Sequence, residues 1–325
     1  MKHEPFVPEK TEEVGPYVFA HKHLKGRLHP NGNLFTARTL FLYNTAQVLY
    51  KHNRWHTSGK KIVSNLTRKK RFVEIQRLAH DLHNLGFKVI YPTSIQRKHV
   101  LALTHYWEGR SDLMGSTVAQ KRSVLRIFLT WMNKEAVMSG LTDADMFINP
   151  EYAKRSSVVK ENKSWGESAS VLERIAFVDK RDSHVARQLK LAHFFGLRKE
   201  EAMLLKPHLD YDENNGILLV TRGTKGGKHR VVLVETDEQK STLEEVKAHC
   251  YSKNDSTIPR MQKSLMSWTR HFYRVCNECG LTKVNGLTAH GLRHGYAHRQ
   301  YELLTGNKAA AANDNKAPMT DAIKD

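Results

Sequence analysis

Apolar residues recur at helical spacing along most of this chain, and the period changes once, between residues 216 and 235. Gly216-Ile-Leu-Leu-Val-Thr221 and Lys228-His-Arg-Val-Val-Leu-Val-Glu235 read as β-strands. Between them, Arg222-Gly-Thr-Lys-Gly-Gly227 holds the glycines that a hairpin turn requires. The chain is therefore expected to be mainly α with a small antiparallel sheet.

The helical patterns fall into two groups. Phe35 to Lys51 carries Leu40, Leu42, Tyr43, Ala46, Val48 and Leu49, and Lys70 to Leu85 repeats Phe72, Ile75, Leu78, Ala79, Leu82 and Leu85 with Gly86 as a stop. Thr93 or Ser94 caps a helix running to about Trp107, and Ser116 or Thr117 starts another containing Val118, Val124, Leu125, Phe128, Leu129 and Met132. Lys121, Arg122 and Arg126 fall among the other positions of that helix, a basic face suited either to phosphate or to plain solvation. Residues 36–148 thus read as one helical domain, preceded by an N-terminal arm or irregular tail over 1–35. The polar stretch 149–166 reads as a linker, and 167–325 as a second domain that contains the hairpin. Its last helix runs from about Thr288 to Leu304, and the alanine- and asparagine-rich text from Ala309 to Pro318 reads as a flexible insertion.

Charge narrows the partner. Lys and Arg number 52 against 33 Asp and Glu, a formal charge of +19, which favours a polyanion. The basic residues are spread along the chain rather than gathered on one amphipathic helix, which argues against a membrane surface. No apolar run reaches the length of a transmembrane helix, and Met1 to Lys10 lacks the apolar core of a secretory signal. Three cysteines, Cys250, Cys276 and Cys279, fit a reducing compartment, and the single C-x-x-C without a second pair reads as buried thiols.

Three motifs occur in order in the second domain: Gly196-Leu-Arg198-Lys-Glu-Glu201 between two helices, Thr224-Lys225-Gly-Gly-Lys228-His-Arg230 at the hairpin, and His290-Gly-Leu-Arg293-His294 near a helix start. Taken singly, Arg198 is a helix-end cation, Lys225 an exposed hairpin lysine, and His290 with His294 two candidate metal ligands without the glutamate of an H-E-x-x-H motif. Taken in order, the set resembles the tyrosine recombinases, or phage integrases, and specifically the integrase-domain proteins of bacterial mobile elements. The likeness covers about residues 167–305, and less specifically the preceding helical unit, which resembles the family's core-binding domain.

The resemblance implies site-specific cutting and rejoining of DNA through a 3′-phosphotyrosine intermediate, with no cofactor and no metal. Two permanently charged, planar guanidiniums suit the non-bridging oxygens of a phosphodiester under attack, the role implied for Arg198 and Arg293. Lys225 matches the general acid for the leaving 5′ oxygen, with Lys228 its local competitor and more simply a phosphate contact. His290 would hydrogen-bond the phosphate or assist proton transfer. Glu201 matches an acidic position that orients the first arginine, and His294 supports the site. Lys121, Arg122, Arg126, Lys228 and Arg230 are the expected DNA contacts. The implied partner is double-stranded DNA, bound by a tetramer on synapsed sites and by a monomer or weak oligomer without DNA, in the bacterial cytoplasm.

The chain departs from the family at its end. Beyond His298 it has no histidine or tryptophan, and beyond Tyr296 its only tyrosine is Tyr301. Tyr301 lies eight positions after Arg293 on the same expected helix, about 12 Å along its axis, and its neighbours Leu303 and Leu304 suggest core packing. The nucleophile is therefore expected beyond Asp325, and residues 1–325 are expected to form no covalent DNA adduct. The alternatives are a DNA-binding protein that keeps the integrase fold without cutting, and a metal-dependent nuclease using His and Glu.

Overall fold

The structure, a computed structural model, describes residues 11–28, 32–56, 58–153, 162–262 and 264–311. The chain divides into two compact units, Met1–Ser157 and Val158–Asp325.

The first unit opens with a hairpin, β1 (Thr11–Val14) paired antiparallel with β2 (Tyr17–Ala20), Thr11 opposite Ala20 and Val14 opposite Tyr17. Gly15 turns the chain between them at φ 59°. Five helices follow: α1 (Ala37–His52), α2 (Asn65–Asn84), α3 (Arg97–Glu108), α4 (Gly115–Trp131) and the single turn α5 (Asp143–Met146). Thr36 and Ser64 cap α1 and α2 by accepting from the backbone N–H three residues on. Phe19 of β2 joins Phe41, Val48, Ile75, Leu82, Leu103, Trp107, Leu125 and Phe128 in one core. The expected irregular arm over 1–35 is corrected here. Residues 11–20 are a structural hairpin because alternate side chains, Tyr17 and Phe19, bury against the helices.

Lys121 is also corrected. It is 6% exposed, and its ammonium lies 3.2 Å from Glu74 and 3.8 Å from Asp81, beneath the Trp107 ring at 5.2 Å. Trp107 Nε1 donates to Asp81 at 2.8 Å, so that buried carboxylate is both paired and hydrogen-bonded. Arg122 turns inward as well, pairing with Asp143 at 2.8 Å and lying over the Phe147 ring. Of the three expected DNA contacts on α4, only Arg126 is exposed.

The second unit is built around one helix. It comprises α6 (Ser168–Asp179), α7 (Ser183–Phe195), the short α8 (Lys199–Leu204) and α9 (Pro207–Asp210), a three-stranded antiparallel sheet, then α10 (Asp237–Ala248), α11 (Leu265–Glu278) and α12 (Ala289–Thr305). The sheet order is β3 (Tyr211–Asp212), β4 (Ile217–Val220), β5 (Arg230–Leu233), with Ile217 opposite Leu233 and Val220 opposite Arg230. Helix α7 is buried on two sides. Val185, Ala186, Leu189 and Ala192 pack with Ile175, Trp268, Phe272 and Leu292, whereas Leu191 and Phe195 pack with Leu218, Val220, Leu243 and Val246. Its one buried amide is fully used: Gln188 accepts from Trp268 Nε1 at 3.0 Å and donates to Thr257 Oγ1 at 3.0 Å. A helix held from both sides presents its C-terminus at a fixed place, and the motif residues gather there.

The expected linker over 149–166 falls partly on residues 154–161, which lie outside the described residues, as do 312–318 of the expected insertion. Trp165, placed in that linker by its polar surroundings, is buried instead. Among the described residues no helix is long and apolar enough to cross a membrane.

Candidate active site at the end of α7

Gly196 ends α7 in the left-handed region, φ 59°, ψ 29°. Only glycine suits it twice over, because a Cβ there would also run into the Tyr296 ring of α12. The turn delivers Arg198 to the N-cap of α8, where a capping box forms: Glu201 accepts the Arg198 backbone N–H at 2.7 Å and its Nη1 at 2.7 Å.

Glu201 is 1% exposed and holds a second arginine. Arg230, from the first residue of β5, donates Nη1 and Nη2 to its two oxygens at 2.8 and 2.7 Å. Each carboxylate oxygen thus accepts two hydrogen bonds. Burial works against the ionised carboxyl, but the hydrogen bonds from Arg230 and from the backbone and side chain of Arg198 prevail and hold it at about 2. Arg230 was expected to touch DNA; the structure turns it inward, since a buried carboxylate requires the compensation.

Arg293 reaches the same place from the first turns of α12. Its Nη1 donates to the carbonyl of Gly196, and Arg230 Nη2 approaches that carbonyl at 3.5 Å. Two further carbonyls at the C-terminus of α7 are satisfied by side chains: Gln239 donates to Phe194 at 2.9 Å and Arg299 to His193 at 2.5 Å. Burial lowers the Arg293 pKa, with Arg198 and Arg230 adding repulsion and Glu201 opposing it. Two guanidiniums therefore share one carboxylate while Arg293 holds the neighbouring Gly196 carbonyl, and the cluster keeps an excess of positive charge.

His290 sits one turn before Arg293. Burial lowers its pKa, and the neighbouring His294, Arg293 and Arg198 push it the same way, so the ring is neutral near pH 7. Its ring packs edge-on against His294 at 4.7 Å. The start of α12 is fixed by a strap that sequence reasoning missed. Trp165 Nε1 donates to the Thr288 carbonyl at 2.7 Å, and a Cβ on Gly291 would lie 2.5 Å from the Lys163 carbonyl and 2.8 Å from Trp165. The available signal was a tryptophan inside an otherwise polar stretch.

The hairpin approaches from the other side. Gly223, at φ 67°, lets its backbone lie against the start of α8, where a Cβ would come within 2.7 Å of the Glu200 carbonyl. Arg222 pairs with buried Asp210 and anchors the hairpin base. Lys225 and Lys228 are exposed at the tip. The site brings together Arg198, Glu201, Arg230 and Arg293, keeps His290 exposed one turn before Arg293, and leaves the two lysines on the exposed tip.

Tyrosines complete the survey. Tyr296 packs its ring on the Gly196 turn, and burial raises its pKa. Tyr301 lines a groove of about 510 Å³ with Arg230, Arg293 and Tyr296. Leu303 and Leu304, expected in a core beside it, are exposed. The helix ends at Thr305, and nothing among the described residues packs over them.

Residues 156–299 match the sequence profile of the family described as Integrase. This segment is similar to the integrase family. No curated protein matches the chain in sequence. Solved structures share the fold of the integrase segment and of the helical unit before it. The XerH site-specific recombinase bound to difH substrate, a pre-cleavage complex, aligns at TM-score 0.52 and 16% identity over 85% of this chain and 89% of that one. The Tn1549 transposon integrase in complex with circular intermediate DNA aligns at 0.52 and 15%, over 86% and 97%. The lambda integrase bound to DNA aligns at 0.50 and 16%, over 86% and 94%. At these identities the likeness is one of fold: core-binding and catalytic domains, mainly helical, with small antiparallel sheets.

Proposed function

We propose that this chain is a tyrosine-type site-specific DNA recombinase that cuts and rejoins duplex DNA through a 3′-phosphotyrosine intermediate. The observation that carries the reading is the convergence of Arg198, Arg230 and Arg293 on the end of α7 around Glu201, with His290 one turn before Arg293 on α12. A phosphodiester under attack gathers charge on its non-bridging oxygens, and two guanidiniums held by buried partners oppose that charge without reorganising. Neutral His290 serves as a hydrogen-bond donor to the phosphate. Lys225, at the exposed tip, protonates the leaving 5′ oxygen, with Lys228 contacting phosphate beside it. The DNA-bound state of the XerH, Tn1549 and lambda structures supports duplex DNA as the partner, and this reading further implies a tetramer on synapsed sites.

On this reading neither Tyr296, committed to packing on Gly196, nor Tyr301 attacks, and the nucleophile comes from outside residues 1–325. The test is a nicked suicide duplex bearing a site that the protein itself selects from random DNA. Residues 1–325 alone give no covalent adduct, and a longer form that supplies the tyrosine gives one, insensitive to chelator. Arg198→Ala or Arg293→Ala in that form lowers adduct formation by on the order of 10²-fold or more while binding changes much less. An adduct on Tyr301, or full activity in either variant, overturns the proposal.

A further inference from the structure

Between Glu13 and Glu74 the sequence contains no acidic residue and twelve Lys and Arg. The charge is concentrated near the α1–α2 connection, where Lys51, Arg54, Lys60, Lys61, Arg68, Lys69 and Lys70 are all exposed. Among the described residues none of these seven cations has a carboxylate within ion-pair distance. Basic runs are usually solvated faces, and two further observations set this one apart.

The first is that the loop has a built shape. Trp55 and Ile62 form an antiparallel bridge, with His56 N–H donating to the Lys61 carbonyl at 2.7 Å and Val63 N–H to the Arg54 carbonyl at 3.0 Å. Gly59 turns the tip at φ 69°. Below it Arg71, buried to 6% exposure, donates to the Trp55 carbonyl at 2.9 Å and lies over the Trp131 ring at 5.6 Å. Asn53 Nδ2 ties the loop to α2 through the Arg68 carbonyl at 3.0 Å. The second is that Trp55 itself stays 43% exposed among the cations, with the Arg54 guanidinium 5.9 Å from its ring. A buried arginine is spent on holding an exposed tryptophan and its neighbouring cations in one arrangement.

We propose that this loop, residues 53–56 and 58–63, with the first turn of α2, is a phosphate-backbone contact of the first unit for duplex DNA, Trp55 packing against sugar. It rests on the reading that the chain binds duplex DNA, and adds a surface remote in sequence from the integrase motifs. It also replaces α4, whose Lys121 and Arg122 are spent internally. Cations carried on a preformed loop suit a regularly spaced polyanion, and their contacts carry little sequence information.

The test compares the wild-type chain with Arg54→Gln/Lys60→Gln/Lys61→Gln, with Trp55→Phe, and with the charge-matched control Lys180→Gln/Lys253→Gln/Lys283→Gln, by anisotropy titration on a fluorescent duplex from 0.05 to 0.3 M salt. Circular dichroism and thermal melting confirm that each variant folds, since every changed side chain is exposed. Each phosphate contact adds about 0.9 to the slope of log K against log salt. The loop triple variant is expected to reduce that slope by roughly 2 to 3 and affinity by roughly 10–100-fold at 0.15 M, equally on random and selected sites. The control is expected to change the slope by less than about 1. DNA-dependent quenching of tryptophan fluorescence is expected to shrink in Trp55→Phe. If the wild type binds and the loop variant matches its slope and affinity, the loop proposal fails and DNA binding stands. If the wild type binds no duplex, both fail. Binding to anionic lipid vesicles that the triple variant abolishes, with DNA binding unaltered, assigns the loop to a membrane surface and overturns the proposal.

Discussion

Glu201 shows how one residue sets the electrostatics of a site. Its oxygens are saturated by Arg230 and Arg198, so the carboxylate cannot rotate away without breaking a buried pair. Arg230 supplies two of those bonds and leaves Arg198 only partly compensated, which preserves charge for an anion. The carboxyl is held at about 2 against 4.5 for an ordinary glutamate. A depressed acid pKa stabilises the fold above the unfolded value, and that stability is lost as pH falls from about 4.5 toward 2. The contribution is on the order of 3 kcal/mol. Chemical denaturation of the wild type between pH 5 and 2 should show this loss. Glu201→Gln should be less stable at pH 7 and lack that part of the slope. An identical pH profile for the two proteins would exclude the role.

At the scale of elements, α4 and α12 each reverse a local rule. On α4, Lys121 stands at the same spacing as Val118, Leu125 and Phe128, on the buried stripe, and its charge is usable there only because Glu74 and Asp81 of α2 face it. Lys121→Ala leaves buried Asp81 without its cation and Glu74 with Arg77 alone, and should cost about 3 kcal/mol. Arg126→Ala, on the exposed side, should leave the melting temperature within error. Equal melting temperatures for the two variants would remove the distinction. On α12, Gly291 lies inside a helix, where alanine ordinarily stabilises by about 1 kcal/mol. Here the added Cβ meets the Lys163 carbonyl and Trp165. Gly291→Ala should therefore lower the melting temperature of the second unit and change tryptophan emission as the Trp165 strap lifts.

The whole molecule couples its stability to pH through buried imidazoles. His193, in the middle of the second unit, is lowered to about 4 by burial and by Arg299. His52, His83, His99 and His184 are lowered mainly by burial. For each, the unfolded chain takes up a proton first, so stability is full above about pH 6.5 and is lost as pH falls below it, for His193 down to about 4. Thermal melts should show both units weakening across that window, and His193→Gln should flatten the response of the second unit. A melting temperature independent of pH between 7 and 4.5 would contradict this. The molecule's +19 charge sets its response to salt: with ~6 phosphate contacts, log K for duplex DNA should fall with a slope of roughly −5.

The sequence by itself determined the helical class, the hairpin, and the order of Arg198, Lys225, His290 and Arg293. Each of these depends on local period, turn chemistry or motif spacing, which short stretches of chain encode. The family resemblance implied Glu201, and the structure makes the contact a local one, a capping box between residues three apart. Tertiary structure alone decided the rest. Whether a cation faces solvent or a carboxylate depends on what a distant element brings to it. Lys121 meets Glu74 and Asp81, Arg230 meets Glu201, and Arg126 and the α1–α2 loop meet nothing acidic among the described residues. The same holds for Trp165, whose burial on α12 joins residues 123 positions apart. Charge is written in the sequence, but its availability is a property of packing.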